Sequence, residues 1–216
     1  MSGWKAKRFW KEAHVTEIEG GFQVLLDTRV VKTPAKAALV LPTRSMAEAV
    51  AAEWDAQTGE IKPDTMWVTR SANAAIDKVT HQFDAVVEML AAYGGTDLLS
   101  YRAEAPADLI ARQQAVWDPL LDWAATRYGA RLATTAGVVP VAQDPEALAR
   151  LTAALAAHDA FEVTALHDLI GISGSLILGL ALAEGRIDLE QAWTASRIDE
   201  TWQAEQWGGD EEFEEL

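Results

Sequence analysis

The hydrophobic pattern of the chain changes period once, close to residue 43. Before that point Phe22, Val24 and Leu26 alternate with Gln23, Leu25 and Asp27, the period of two expected of a half-buried strand. Gly20-Gly21 separates this run from an earlier one over residues 8–15 and predicts a hairpin. Asp27-Thr28-Arg29 and Thr33-Pro34 are turn signals, and Leu39-Val40-Leu41 reads as a last short strand. Trp4, Phe9 and Trp10 are expected to pack this module.

After residue 43 the period is helical. Ser45-Met46-Ala47-Glu48 has the spacing of a capping box and predicts a helix reaching about Gln57, with Gly59 beyond it. Ile76, Val79, Phe83, Val86, Val87 and Leu90 form one stripe of a long helix over 70–93, stopped by Gly94-Gly95. Pro106 suits the first turn of another helix. Asp118-Pro119 predicts a break or kink within it, with Asp118 capping a new segment. Asp144-Pro145-Glu146 opens a further helix with the stripe Leu148, Leu151 and Leu155. Residues 169–183, LIGISGSLILGLALA, carry no charge. As one helix they would span about 22 Å, short of the ~30 Å of a bilayer core, so a buried core helix is expected. Gly171, Ser175 and Gly179 would give that helix a narrow stripe for close approach of a neighbour. A final helix runs from Asp188 to Trp207, and residues 208–216 (GGDEEFEEL) read as a solvated tail.

The fold class is therefore α+β. A small N-terminal antiparallel β domain (1–44) precedes a larger all-helical domain (45–216) built around a buried apolar helix and ending in an acidic tail. The only other extended piece is expected near 131–134.

Charge sharpens this division. Residues 1–44 carry eight Lys/Arg against four Asp/Glu, whereas the remainder carries ten against twenty-nine. A body so acidic repels nucleic acid and anionic membrane surfaces. The chain has no cysteine, which excludes disulfides, thiolate nucleophiles and cysteine zinc sites. No long apolar run follows the basic N-terminus, so no secretory signal is read and the cytoplasm is expected.

The motifs that could carry chemistry are weak. His14, His81, His158 and His167 include no pair at i, i+4, so no metal is expected. Gly171-Ile-Ser-Gly-Ser175 lacks the second flanking glycine and preceding strand of a nucleophile elbow. Tyr93-Gly-Gly-Thr-Asp97 has no following lysine and no preceding strand, which argues against a phosphate loop. Tyr101-Arg102 reads as a cap or an interface pair.

The last helix is the most informative. On one continuous helix Trp193, Arg197, Glu200, Ala204 and Trp207 share a sector, while Ile198 and Trp202 lie opposite with Glu205 beside them. One tryptophan side could pack on the core with the acids merely solvated. Alternatively an aromatic–acid surface is left for a partner, since indoles among polar groups are the composition of interface hot spots. Paired carboxylates could also do acid–base work, but no nucleophile, metal site or phosphate cradle lies beside them. Trp54, set between Glu53 and Asp55 where strands give way to helices, reads as the hinge of the two modules or as a further partner contact.

A series of short motifs runs in order along nearly the whole chain. It comprises Arg8-Phe9-Trp10-Lys11, Leu26-Asp27 with Lys32-Thr33-Pro34, Leu41-Pro42-Thr43, Glu53-Trp54-Asp55-Xaa-Gln57 and Ala75-Ile76-Asp77. Thr96-Asp97-Leu98-Leu99-Xaa-Tyr101-Arg102, Trp117-Asp118-Pro119-Leu120-Leu121, Ser196-Arg197 with Asp199-Glu200, and Trp207-Gly208-Xaa-Asp210 follow. The series resembles the assembly-chaperone family for the α subunit of F-type ATP synthase; Met66-Trp67, where a proline is expected after the methionine, is a local departure.

The resemblance implies a non-enzymatic chaperone with a β N-terminal and a helical C-terminal domain. It would hold the unassembled α subunit, shield the surface later covered by the β subunit, and need no cofactor, metal or ATP of its own. A monomer is expected. Eukaryotic relatives work in the mitochondrial matrix; with almost nothing before its first motif, this chain is expected in a bacterial cytoplasm. The family's acidic C-terminal helix maps onto Asp199, Glu200 and Glu205, with Trp202, Trp207 and Asp210 around them; with Trp54 these are the candidate partner-binding residues. Two rival classes remain open, a small-molecule hydrolase or transferase using the clustered carboxylates and a general holdase.

Overall fold

The hairpin at Gly20-Gly21 forms, but its first strand lies later than the 8–15 run: Ala13–Ile18 (β1) pairs antiparallel with Gly21–Leu26 (β2), Val15 opposite Val24. The Arg8 guanidinium is held instead by the Trp10 and Gln57 carbonyls. A Cβ at Gly21 would lie 2.4 Å from the Leu41 carbonyl oxygen, so only glycine allows the 39–41 segment to lie so close to β2. Arg29–Val30 (β3) pairs with the far edge of β2, completing a three-stranded sheet. The computed structural model describes residues 7–208. The packing role expected of Trp4, the acidic tail from residue 209 on, and Asp210 lie outside the described residues.

The first helix, Arg44–Asp55 (α1), starts one residue ahead of the Ser45–Glu48 box. Thr43 is its N-cap, its hydroxyl accepting from the Met46 N–H at 3.2 Å. Ala47, Val50 and Ala51 on α1 are buried with Val24, Leu26, Leu39 and Leu41 of the strand region. Trp67–Asp77 (α2) has no capping side chain of its own at Met66. Glu53 on α1 supplies the cap instead, accepting from the Val68 and Thr69 N–H groups at 2.7 and 2.8 Å and from the Thr69 hydroxyl at 2.7 Å. The described chain forms two compact units that divide between Phe83 and Asp84. The change of element type thus falls at residue 43, while the compact units divide some forty residues later, because α1 packs on the sheet and α2 packs on α1. Trp54 therefore lies inside the first unit and is not a hinge at its edge.

The 70–93 helix is interrupted. After α2 come a 3-10 turn over Val79–His81, the helix Phe83–Ala91 (α3) and further 3-10 turns through Ser100. The Thr80 hydroxyl donates to the Ala75 carbonyl at 2.8 Å, an acceptor that the next helical turn would need. Tyr101–Arg102 (β4) follows, and the helix Ala107–Tyr128 (α4) runs unbroken through Pro119. One hydrogen bond lost to proline is outweighed by a face on which Leu109, Trp117, Leu120, Leu121 and Ala124 are all buried. Asp118, expected to cap a new segment, pairs with Arg102 at 2.8 Å. Thr135–Ala136 (β5) pairs parallel with β4, just beyond the extended piece expected at 131–134. Asp144 and Pro145 open Pro145–Ala156 (α5) as read, with Leu151 and Leu155 fully buried.

The uncharged stretch at 169–183 is two helices. Ala160–Ser173 (α6) ends on Gly174 in the left-handed conformation (φ 68°), and Leu176–Ala183 (α7) starts from an extended Ser175. On α7 every residue from Leu176 to Ala181 is buried, so the buried apolar helix exists but is half the expected length. The expected Gly171–Ser175–Gly179 stripe does not form: Ser175 is the N-cap, and only Gly179 makes a close approach. A Cβ there would lie 2.5 Å from Ile170 Cγ1 on α6. The final helix is divided as well, into Leu189–Ser196 (α8) and Ile198–Trp207 (α9), with Arg197 off the helical path (φ −116°, ψ 19°). The Ser196 hydroxyl takes the Trp193 carbonyl at 2.8 Å, the acceptor that the Arg197 N–H would use in a continuous helix. No helix among the described residues is long and apolar enough to cross a membrane.

Candidate functional site

The break at Arg197 re-aims α9, and α4 decides which of its residues remain outward. Arg112 on α4 makes two bonds to the Glu205 carboxylate, at 2.9 and 2.8 Å, and its guanidinium lies 5.1 Å from the Trp202 ring centre. The Arg112 hydrogen bonds hold the Glu205 carboxyl below its ordinary range, and the same contact raises the guanidinium's pKa. Asp199 accepts from Gln113 Nε2 at 2.7 Å; Gln113 is buried and accepts from the Ala103 N–H at 2.8 Å. Trp117 on α4 donates its indole N–H to the Ala195 carbonyl at 2.8 Å, and Ile198, three residues beyond Ala195, is buried. Asp199, Trp202 and Glu205 thus clasp α9 onto α4.

Glu200 is exposed, and Trp207 is 79 % exposed. Trp193 is 54 % exposed on α8, with the Arg197 guanidinium 5.2 Å from its ring centre. The single sector read from the sequence is therefore split between two helices. Trp54, in the first unit, is half-buried and meets Trp10 edge to face at 5.3 Å. Its neighbours are equally engaged: Asp55 pairs with Arg8 at 3.0 Å, and Gln57 accepts from the Lys62 N–H at 2.7 Å.

The family model for the ATP12 chaperone protein matches residues 7–125, more than half of the chain. The chain belongs to the ATP12 chaperone family. ATP12 proteins are chaperones, and this chain is one of them. Atp12 from Paracoccus denitrificans is 56 % identical, with a TM-score of 0.93 over 99 % of this chain and 91 % of that one. An Asp-to-Lys variant of Paracoccus denitrificans Atp12p superposes with a TM-score of 0.94, also at 56 % identity, covering 99 % and 92 % of the two chains. Mitochondrial protein atp12 of Schizosaccharomyces pombe is 23 % identical over 224 residues, 97 % of this chain and 76 % of that protein.

Two features of this ATP12 chain escaped sequence reading. The first is Asp97, fully buried, whose carboxylate accepts from the Ser175 hydroxyl at 2.8 Å and the Leu99 and Ile177 N–H groups at 3.0 and 3.1 Å. Burial raises its pKa to about 6, although these donors and the α7 N-terminus oppose the shift. Asp97 thereby fixes the start of α7. The second is an apolar groove of about 170 Å³ walled by α6, α7 and α8. The 169–183 stretch conceals it when read as one helix, because its walls arise only once the chain turns at Gly174. Among the described residues no cluster of three His, Asp or Glu side chains is arranged to hold a metal.

Proposed function

We propose that this chaperone binds the unassembled α subunit of F-type ATP synthase and promotes assembly of the catalytic head, acting as a monomer in a bacterial cytoplasm and without catalysing a reaction. The observation that carries the reading is the outward edge of α9, where the Glu200 carboxylate and the Trp207 indole stand in solvent on a helix already clasped to α4. An indole removes apolar area from water while a neighbouring carboxylate pairs with Arg or Lys on the client. Glu200 and Trp207 are the direct contacts in this reading. Asp199, Trp202 and Glu205 act one step back by holding α9 in place, and Asp210, outside the described residues, remains a candidate contact. Trp54 is assigned to packing of the first unit.

The test is retention of purified α subunit, without β, by the full chain and its variants. Losing one partner of a desolvated charge pair costs about 2–5 kcal/mol, so Glu200→Lys should weaken binding at least tenfold while the melting temperature stays close to the parent's. Normal retention of α by both Glu200→Lys and Trp207→Ala would remove α9 from the interface. Equal capture of many unfolded proteins in place of α would identify a general holdase.

A further inference from the structure

We propose that the groove between α6, α7 and α8 is a second docking site, and that it takes an apolar side chain of a client segment flanked by Lys or Arg. The proposal rests on the chain being a client-binding chaperone, but it concerns a surface distinct from the outward edge of α9. Leu169, Ile172, Leu178, Leu182, Leu189 and Trp193 supply most of its wall, and no charged side chain lines it. Ile172 is 73 % exposed, Leu189 67 % and Trp193 54 %. Single exposed apolar residues are ordinary, but three gathered on the lip of one concavity mark a surface that is covered in use. A cavity of about 150 Å³ already accommodates a benzene ring, so 170 Å³ suits a Phe or Leu side chain.

The charges around the groove select the occupant. Asp168 is exposed one turn before Ile172 on α6, and Glu190 is exposed three residues before Trp193 on α8. His167 Nδ1 lies 2.9 Å from the Asp168 carboxylate, and the Arg197 guanidinium lies over the Trp193 ring. From Asp84 onward the chain nevertheless has seven Lys/Arg against twenty-three Asp/Glu. A basic segment approaches this field favourably and an acidic one is repelled. A second copy of this chain meeting the groove across a two-fold axis would bring Asp168 and Glu190 up to acids like themselves. The chain's own DEEFEEL end has the same sign and is disfavoured for the same reason.

Two measurements on the full chain test this. In the first, Ile172→Asp and Trp193→Ala are assayed for α-subunit affinity beside Glu200→Lys. Both positions are more than half exposed, so melting temperatures near the parent's are expected, with affinity reduced at least tenfold by Ile172→Asp and severalfold by Trp193→Ala. If Ile172→Asp unfolds, Ile172→Ser replaces it. Unchanged affinity in a folded Ile172 variant, with the parent binding α, overturns the groove and leaves the α-subunit reading intact. In the second, a labelled peptide carrying Leu-Phe between pairs of lysines is titrated against one carrying glutamates there. The lysine peptide should bind at least tenfold more tightly, lose that binding with Ile172→Asp, and weaken severalfold with Asp168→Lys or Glu190→Lys. No preference between peptides, or a preference insensitive to Ile172→Asp, overturns the proposal whatever α does. So does a shift to dimers that Ile172→Asp abolishes, since a second copy would then own the groove.

Discussion

The two units of the chain use acids to hold backbone alike and differ in how much charge is left over. In the first, eleven Lys/Arg nearly balance ten Asp/Glu, and many of those charges hold the backbone in place. Arg8 donates to the Trp10 and Gln57 carbonyls at 3.0 Å and pairs with Asp55, whose carboxylate also accepts from the Ala13 N–H. Glu53 caps α2, and Asp27 accepts from the Lys11 and Glu12 N–H groups, which hold its carboxyl below its ordinary range. In the second unit Asp97, the one fully buried acid among the described residues, and the helix caps Asp144, Asp159 and Asp188 likewise hold backbone N–H groups. Asp118, Glu184 and Glu205 pair with arginines, yet an excess of sixteen acids over Lys/Arg is left. The acidity left over in the second unit is thus a surface property, available to a partner. In the first unit the two signs nearly cancel, and its charges tie backbone together around a core that includes Val24, Leu39, Leu41 and Val50.

The strongest way to break this contrast is at Asp97. Asp97→Ala would leave the Ser175 hydroxyl and the Leu99 and Ile177 N–H groups buried without an acceptor. At about 1–3 kcal/mol for each such group, partly relieved by relaxation, a loss on the order of 3–5 kcal/mol is expected, read as a lowered urea midpoint. A loss below about 1 kcal/mol would mean that α7 holds its place without this carboxylate.

Asp97 also predicts a pH dependence. Its folded pKa of about 6 lies above the unfolded value of 3.8, so between these limits the folded state binds the proton that the unfolded state releases. The contribution is therefore fully present below about pH 4, declines as pH rises toward 6, and is constant above. A carboxyl raised that far changes stability by roughly 2–3 kcal/mol across this window, and melts of the parent and Asp97→Asn over pH 4–7 should diverge by that order. Parallel curves would show that the donors around the carboxylate offset its burial.

For the first unit, Glu53→Gln removes the charge that caps α2 but keeps the shape. A loss of about 1–2 kcal/mol is expected, and hydrogen exchange should accelerate at the Val68 and Thr69 amides. The smallest effect belongs to the exposed Arg112–Glu205 pair. Glu205→Gln should barely move the melting temperature, and the little it moves should vanish in high salt. A large loss would mean that α9 depends on this pair far more than its exposure implies.

The elements that were legible in the sequence are those whose signals are local. The β1–β2 hairpin follows from Gly20-Gly21 and alternation, and α5 from Asp144-Pro145. The start of α8 follows from Asp188, which accepts from the Gln191 N–H at 2.8 Å. The three helices that end earlier than their periodicity predicts do so in one common way. At Thr80, Ser173 and Ser196 a hydroxyl takes a nearby backbone carbonyl, and the helix stops within a few residues. Ser and Thr make similar bonds inside intact helices, as Thr152 does on α5 and Thr164 on α6, so their presence alone does not announce a break. At the candidate site, the acids and indoles of α9 were visible as a composition. Which of them point outward was not, because that depends on Arg112 and Gln113, 93 and 86 residues away in the chain.

By itself the sequence determined the order of strands and helices, the apolar set that fills the core, the acidic bias and the family. These rest on periodicity, capping and composition, which act over a few residues or over the whole chain. Only the tertiary structure decided that α1 packs on the sheet with α2 against it, that the apolar stretch turns at Gly174, and that Glu205 answers Arg112 while Glu200 faces solvent. A helix continuing and a helix breaking at a serine differ locally by about 1 kcal/mol or less. Burying Leu176–Leu180 against α6 and setting Asp97 at the head of α7 outweigh that difference, so long-range packing makes the choice.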